Sequence, residues 1–593
     1  MLHALYARLT DPARPITRIL LIAAWAIILN AVFLALPNFI RGGDAAFHIF
    51  NTQQFATGLR EGVLYPRWFG DFFNGYGAPV GIGYAPLAYY GGSLFMLLGL
   101  SVFTALKVFL TLTLVISGLG MYRLASRFLP IPGALAAALL YQAMPYYIVD
   151  LYSRAALGEY VAFMWLPFIF LFAYQCLNRQ RLLDCALLGL TLGGLVLTHI
   201  LTAYMTILAL VVFAIVFIAQ EPRGWLWKIV RLGVGGALGI GLAAVYVLPL
   251  LSETPYLNTS HLIETSFGNY QNNFLFNAWD YIGTIRTSTF LENTMIGVGA
   301  LLSVALVIAM AAILYRNWRV YPLLRRRMAL AMILVFGFSM FMSFSLSRPL
   351  WAILPRAAML QFPTRWQTLC TLSGAYLAGE IIMWLLERRG NREQLPARQR
   401  RLLPLFIALV IGGNVLYSIG LVGALTYLRR AIRSDLAAQL TGAQPVTADN
   451  FGRVFPIEYK PQWVTELDTA ESTPVDPEHA VFTSDETTQI EMQLWQLSRR
   501  VFTANAARET KVNVQTFWFP GWQATVNGQA VETQAHSSDG TIEFPIPTGH
   551  SAIVVSFEDT PIRTTAEIIS LLAAIVLAGL IVFDISRRSS IRL

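Results

Sequence analysis

Asp44, His48, Asp150, Arg154, Glu159, His199, Gln361 and Arg365 are acids, imidazoles, an amide and guanidinium groups set in short polar stretches between long apolar runs. A positioned carboxylate can take the proton of a hydroxyl. Arginines beside it can hold a phosphate through paired N–H donors and stabilise the charge that builds as it leaves. At a lipid–water boundary, such a set suits transfer of a sugar from a lipid phosphate to a hydroxyl.

Each residue also has a plainer reading. In "GGDAAFHIF" Asp44 stands where a helix begins, so it can be an N-cap with His48 one turn on. Asp150 and Arg154 in "VDLYSRAALGEY" have the four-residue spacing of a helical ion pair, with Glu159 at the start of the next apolar run. His199, in the hairpin apex "LTHILTAY", can satisfy one hydrogen bond, and Arg356 and Arg365 in "RAAMLQFPTRW" can snorkel to headgroups. Arg67 and Asp71 lie in "LREGVLYPRWFGDFFNGYGAP", which reads as a wall of a substrate groove. Asp71 is either a second ligand there or a solvated turn residue.

The elements that position these groups are membrane spans. Of 593 residues, 56% are hydrophobic and 13% charged, a polytopic membrane composition. The net charge of +9 comes from arginines clustered in loops, which fits the positive-inside bias better than a nucleic-acid face. Twelve apolar runs are long enough to span, near 17–38, 101–121, 132–149, 160–177, 183–199, 200–220, 229–250, 293–315, 328–346, 366–386, 402–428 and 564–585. With the N-terminus inside, Arg8, Arg14, Arg18, Arg325 to Arg327, the arginines from Arg388 to Arg401, and Arg587, Arg588 and Arg592 fall on the cytoplasmic side. Both termini are then cytoplasmic. Asp44, Asp150, Arg154, Glu159, His199, Gln361 and Arg365 all fall at the outer face, whereas Glu380 and Glu387 do not. The run 86–100 would break this parity if it spanned, so it reads as a juxtamembrane or re-entrant helix, although Lys107 keeps a span in play.

Residues 429–563 change character: alternating runs flank Asn527-Gly528, a hairpin signal, and "TIEFPIP" and "AIVVSFE" read as strands. The fold expected is an all-α membrane domain over 1–428 with juxtamembrane helices within 41–100, an extracytoplasmic β-sandwich-like domain over 429–563, and a last span and tail over 564–593. Trp518, Phe519 and Trp522 of the β-domain read as core or interface residues ahead of sugar-stacking ones. Cys176, Cys185 and Cys370 lack metal or disulfide spacing and read as packing residues.

At "GGDAAFHI", "LREGVLYPRWFGDFFNGYGAP", "DLYSRAALGE", "LTHILTAY", "LQFPTRW" and "FWFPGWQATVNG" the sequence resembles the YfhO-like multispanning proteins and the bacterial membrane family labelled as related to 6-pyruvoyl-tetrahydropterin synthase. Both look like members of the GT-C glycosyltransferase superfamily. The resemblance implies a catalytic acid in the first outer loop, matched by Asp44, and a second-loop acid, either Glu159 or Asp150. It also implies a polyprenyl-phosphate-linked hexose donor, inversion at the anomeric carbon, a lipid or envelope-glycan acceptor, and residence in the bacterial inner membrane. Use of Mg or Mn stays open, as does metal-independent transfer. The roles expected are Asp44 and Glu159 catalytic, with His48, Arg67, Asp71, Asp150, Arg154, His199, Gln361 and Arg365 binding substrate. A lipid-linked glycan flippase is the first alternative, and an inactive glycan-binding scaffold the second. A nucleic-acid partner is not expected.

Overall fold

The computed structural model describes residue 11 and residues 13–259, 261–265, 268–276, 287–389, 411–426, 434–441, 455–464 and 474–591. Arg8, Arg392, Arg398, Arg400, Arg401, Arg592 and both ends of the 402–428 run lie outside them. A lipid environment offers no partner for backbone polar groups, so apolar runs close their hydrogen bonds internally as helices. Among the described residues, eight helices are long and apolar enough to cross a membrane: Val102–Ala125, Ile131–Arg154, Ile200–Gln220, Trp225–Leu242, Thr294–Asn317, Leu323–Ser343, Pro363–Arg388 and Pro561–Arg587. Pro15–Leu29, Leu166–Asn178, Leu182–Thr198 and Ile411–Thr426 are shorter apolar helices at the other expected spans. The chain is a multispanning membrane protein.

Two departures have local causes. The first apolar run is not one helix: Pro15–Leu29 and Ala31–Ala35 are separated at the buried Asn30, whose amide donates to Thr111 Oγ1 at 3.2 Å. The second piece ends short, and Lys107 Nζ donates to the carbonyls of Leu34 and Leu36 that it leaves open. Lys107 therefore caps a neighbouring helix end. The run 86–100 forms Leu87–Leu97, 11 residues bounded by Pro86 and by Gly99 at φ 94°. At 1.5 Å per residue that is about 16 Å, well short of a bilayer core. It packs across the Ala45–Arg60 helix.

The β-domain comprises β1 Val481–Thr483, β2 Gln489–Trp495, β3 Arg499–Ala506, β4 Thr510–Phe517, β5 Trp522–Val526, β6 Gln529–Val531, β7 Gln534–Ala535, β8 Thr541–Ile546 and β9 Gly549–Phe557. They form two antiparallel sheets, β1-β4-β8-β7 and β2-β3-β9-β5-β6. Asn527 (φ 51°) and Gly528 (φ 79°) both adopt the left-handed conformation of a tight hairpin turn, which pairs Val526 with Gln529.

This domain sits on the 60–79 segment, which is a docking platform and not the substrate-groove wall expected from its composition. Tyr76 O accepts from Phe517 N at 2.8 Å, Asn74 O from Val475 N at 2.8 Å, and Glu61 Oε2 from Leu497 N at 3.1 Å. Trp68 meets Trp522 edge-on at 5.3 Å and Tyr76 stacks on Phe517 at 5.1 Å. Phe519 and Trp522 are buried, and Trp518 donates its indole N–H to Thr533 at 3.1 Å, so these aromatics serve the domain core and interface. The last helix is tied in separately. Arg563 makes a bidentate pair with Glu253 (3.0 and 2.9 Å), and its guanidinium also donates to the carbonyls of Glu558 and Pro520. Glu380 and Glu387 pair with Arg325 at 2.6 and 2.7 Å, apart from the polar cluster described below.

Candidate active site

The site begins at a break in a helix. Ile131–Gln142 stops before Met144-Pro145, because proline has no N–H to donate and biases the residue before it away from the helix. The chain resumes as Pro145–Val149 and widens into a π-type turn, Asp150–Arg154, that ends on Ala155 in the left-handed region at φ 51°. Carbonyls at such an end need partners from elsewhere. Ser153 O accepts from Gly43 N at 3.1 Å and Arg154 O from Asp44 N at 2.9 Å, which clips the first loop onto the turn.

Glycine is required at 42 for that approach, since a Cβ there would lie 2.4 Å from Ala155 Cβ. Gly42→Ala is expected to cost about 1–3 kcal/mol through overpacking and to pull Asp44 off its register. Gly42→Ala/Ala155→Gly, which removes the colliding methyl and suits the left-handed φ, is expected to restore only part of the loss, because the new Cβ still meets Ala155 N at 2.9 Å. Thermal unfolding of the two variants checks this; equal destabilisation in both would refute the contact.

Asp44 occupies the N-cap position of the Ala45–Arg60 helix, yet its carboxylate takes no bond from the first turn. Among the described residues the Asp44 carboxylate makes no hydrogen bond or ion pair. The side chain is open to solvent although protein crowds it on all sides, as in a recess. That desolvation raises its pKa above the ordinary 3.8; Arg154 and Arg365 oppose the rise and Glu159 adds to it.

Beside it lies a built ion cluster. Arg154 Nη1 reaches Asp150 Oδ1 at 2.8 Å, Glu159 Oε2 at 2.9 Å and Tyr146 Oη at 2.7 Å. Glu159 Oε1 accepts from Tyr146 Oη at 2.7 Å and from Thr368 Oγ1 at 3.2 Å, and Arg365 Nε lies 3.4 Å from Glu159 Oε2. Both oxygens of Glu159 are thus occupied, and the carboxylate is buried. Burial pushes its pKa up, but the Arg154 and Arg365 guanidinia outweigh that and hold it down at about 2. Arg365 Nη1 donates to Leu360 O at 3.0 Å; its Nη2 has no hydrogen-bond partner among the described residues and is not enclosed.

His199 packs against Gly158, next to Glu159, and its Nδ1 pairs with Thr202 Oγ1 at 2.7 Å. His48 is buried and paired with Tyr89 Oη at 3.0 Å. Burial pushes His48 down to about 3, so it is neutral at ordinary pH. His48, Asp150 and Tyr160 line a cavity of about 10 Å³, room for roughly one water.

Asp44, Asp150, Arg154, Glu159, His199 and Arg365 are therefore brought together, with His48 one turn behind Asp44. Arg67, Asp71 and Gln361 are not. Arg67 binds Asp559 (2.8 Å) and Glu567 (2.9 Å) at the start of the last helix. Asp71 exchanges hydrogen bonds with Gln54 (2.5 and 3.1 Å) under the β-domain. Gln361 Nε2 is spent on Leu262 O at 2.7 Å. The sequence reading missed Tyr146 and Thr368. Tyr146 lies four residues before Asp150 and Thr368 three after Arg365, helical spacings that carry the signal.

Among the described residues no three His, Cys, Asp or Glu side chains gather to hold a metal ion. Both oxygens of Glu159 and Oδ1 of Asp150 are taken up by cations and hydroxyls, whereas Asp150 Oδ2 has no hydrogen-bond partner among the described residues.

A family model described as a 6-pyruvoyl-tetrahydropterin synthase related domain, membrane protein, matches residues 83–428, more than half of the chain. The chain belongs to this family. The family segment holds Asp150, Arg154, Glu159, His199 and Arg365, while Asp44 lies ahead of it. A curated relative, an uncharacterized protein of Lactococcus lactis subsp. cremoris (strain MG1363), is 25% identical over 225 residues, 36% of this chain and 36% of that protein. The chain thus spans about a third of the relative it matches. Among solved structures, it is similar to the Archaeoglobus fulgidus oligosaccharyltransferase in the apo form (13% identity, TM-score 0.45, 76% of this chain and 61% of that one). It is also similar to the mycobacterial arabinofuranosyltransferase AftD (18%, 0.44, 72% and 28%). ArnT from Cupriavidus metallidurans bound to undecaprenyl phosphate is a third (14%, 0.39, 73% and 76%).

Proposed function

We propose that this family member is a GT-C type glycosyltransferase that moves a hexose from a polyprenyl phosphate to a hydroxyl of a lipid or envelope glycan, with inversion, at the outer face of the bacterial inner membrane. The observation that carries the reading is one recess in which an open, unpartnered carboxylate, Asp44, stands beside two guanidinia fixed by a buried acid. In this reading Asp44 takes the acceptor proton. The acceptor oxygen then bonds to the anomeric carbon as the bond to the phosphate oxygen breaks, and the electron pair leaves with the phosphate. Arg365, through its open Nη2, holds that phosphate, and Arg154 adds charge behind it. Glu159 is a positioning residue and not the second catalytic acid expected from sequence, because its oxygens are spent on Arg154, Arg365, Tyr146 and Thr368. The loop arginines support an orientation with both termini cytoplasmic.

The pH dependence follows from Asp44. A base must be deprotonated to act, so kcat/KM is expected to fall as pH drops through the Asp44 pKa, with a midpoint above 3.8. Glu159 at about 2 and His48 at about 3 lie below that limb, and the neighbouring Asp150 is told apart from Asp44 by Asp150→Asn, which is expected to keep it. A pH–rate profile of labelled-sugar transfer by the purified chain tests this; an acid limb at or below 3.8 would remove Asp44 as the base.

A further inference from the structure

Tyr84, Tyr89 and Tyr459 crowd the first turn of the helix that follows Asp44, with Tyr246 beside Gly83, and the four divide in two. Tyr89 Oη accepts from Asn51 at 2.9 Å and pairs with His48, and Tyr246 Oη donates to Gly83 O at 3.3 Å. These inner hydroxyls are used. Tyr84 and Tyr459 are half-buried, their hydroxyls take no hydrogen bond among the described residues, and neither oxygen is enclosed. The Tyr84 ring meets Phe47 edge-on at 5.5 Å and His48 at 5.4 Å, while Tyr459 stacks on Phe47 at 5.7 Å. Phe47 is the third residue after Asp44. Tyr84 comes from the juxtamembrane segment and Tyr459 from the short segment ahead of the β-domain.

That segment is fixed in place. Leu257 bridges to Pro461, Gln462 N donates to Tyr256 O at 3.0 Å, and a Cβ on Gly83 would collide with the Tyr459 ring at 2.7 Å. Two half-buried tyrosine rings with unused hydroxyls, packed on the helix turn that follows an open carboxylate, match a ring rich in hydroxyl groups, which offers C–H groups to pack and O–H groups to bond.

We propose that Tyr84 and Tyr459 form the wall that recognises the sugar ring, so that the segment leading into the β-domain supplies a specificity residue to the membrane site. This rests on the glycosyltransferase reading above. The test uses the full chain in detergent with two probes, a polyprenyl phosphate and the same lipid phosphate carrying one hexose. The parent is expected to bind the hexose-bearing lipid more tightly. Tyr84→Phe and Tyr459→Phe are each expected to weaken that lipid about three- to ten-fold, the range of one lost hydrogen bond, and to leave the bare lipid as in the parent. Tyr459→Ala, which also removes the ring, is expected to lose more. Unchanged binding of both probes in the variants, or equal weakening of both, overturns the wall. A parent that binds the two probes equally also overturns it, yet leaves the transferase reading standing. A parent that binds neither removes both.

Discussion

Asp44→Asn is expected to abolish sugar transfer, by about 10²–10⁴-fold or more, the range contributed by a positioned general base, while the chain folds as before. Asparagine makes the substitution diagnostic. It caps helix N-termini about as well as aspartate, so a residue that served only as the cap of Ala45–Arg60 would tolerate the change. The carboxylate holds no bond to the helix, and its charge is disfavoured by the desolvation that raises its pKa, so stability is expected to stay as in the parent or to rise. Labelled-sugar transfer and thermal unfolding on the same preparation separate the two roles. Normal transfer by Asp44→Asn would leave the recess without a base.

Arg154→Gln is expected to destabilise the protein by about 3–5 kcal/mol, because removing one partner of a buried pair leaves uncompensated charge. Here two carboxylates lose their counter-ion: the side chains of Asp150 and Glu159 both have 0% relative exposure. Arg365 reaches Glu159 only at 3.4 Å and does not replace the lost bonds. Neutralising an acid at the same time, as in Arg154→Gln/Glu159→Gln, should recover part of the loss, giving a favourable coupling in a double-mutant cycle. An unchanged unfolding midpoint for Arg154→Gln would show that the cluster does not hold this end of the bundle together.

Sequence made the convergence legible because local rules act on it. The polar residues fall at span boundaries, and charge bias assigns those boundaries to one face. The Asn527-Gly528 hairpin was legible for the same reason: two successive residues set its backbone. What local spacing hides is pairing at a distance. Arg67 and Asp559 are 492 positions apart, and Gln361 and Leu262 are 99 apart. Each looks like a polar residue awaiting a ligand until the fold supplies its partner. The same holds for the 60–79 segment, whose aromatics and glycines read as a groove but meet the β-domain. Asp44 is the converse case. Its position announced a helix cap, and only the structure shows that the carboxylate is left over.

The most direct test of the account is where a lipid phosphate binds. Density for a polyprenyl phosphate in the purified full-length protein is expected to place the phosphate at Arg365 and Arg154, within reach of Asp44, with the tail running out along the apolar helices. A phosphate held midway down the helical bundle, away from Asp44, would contradict the transferase reading and favour transport.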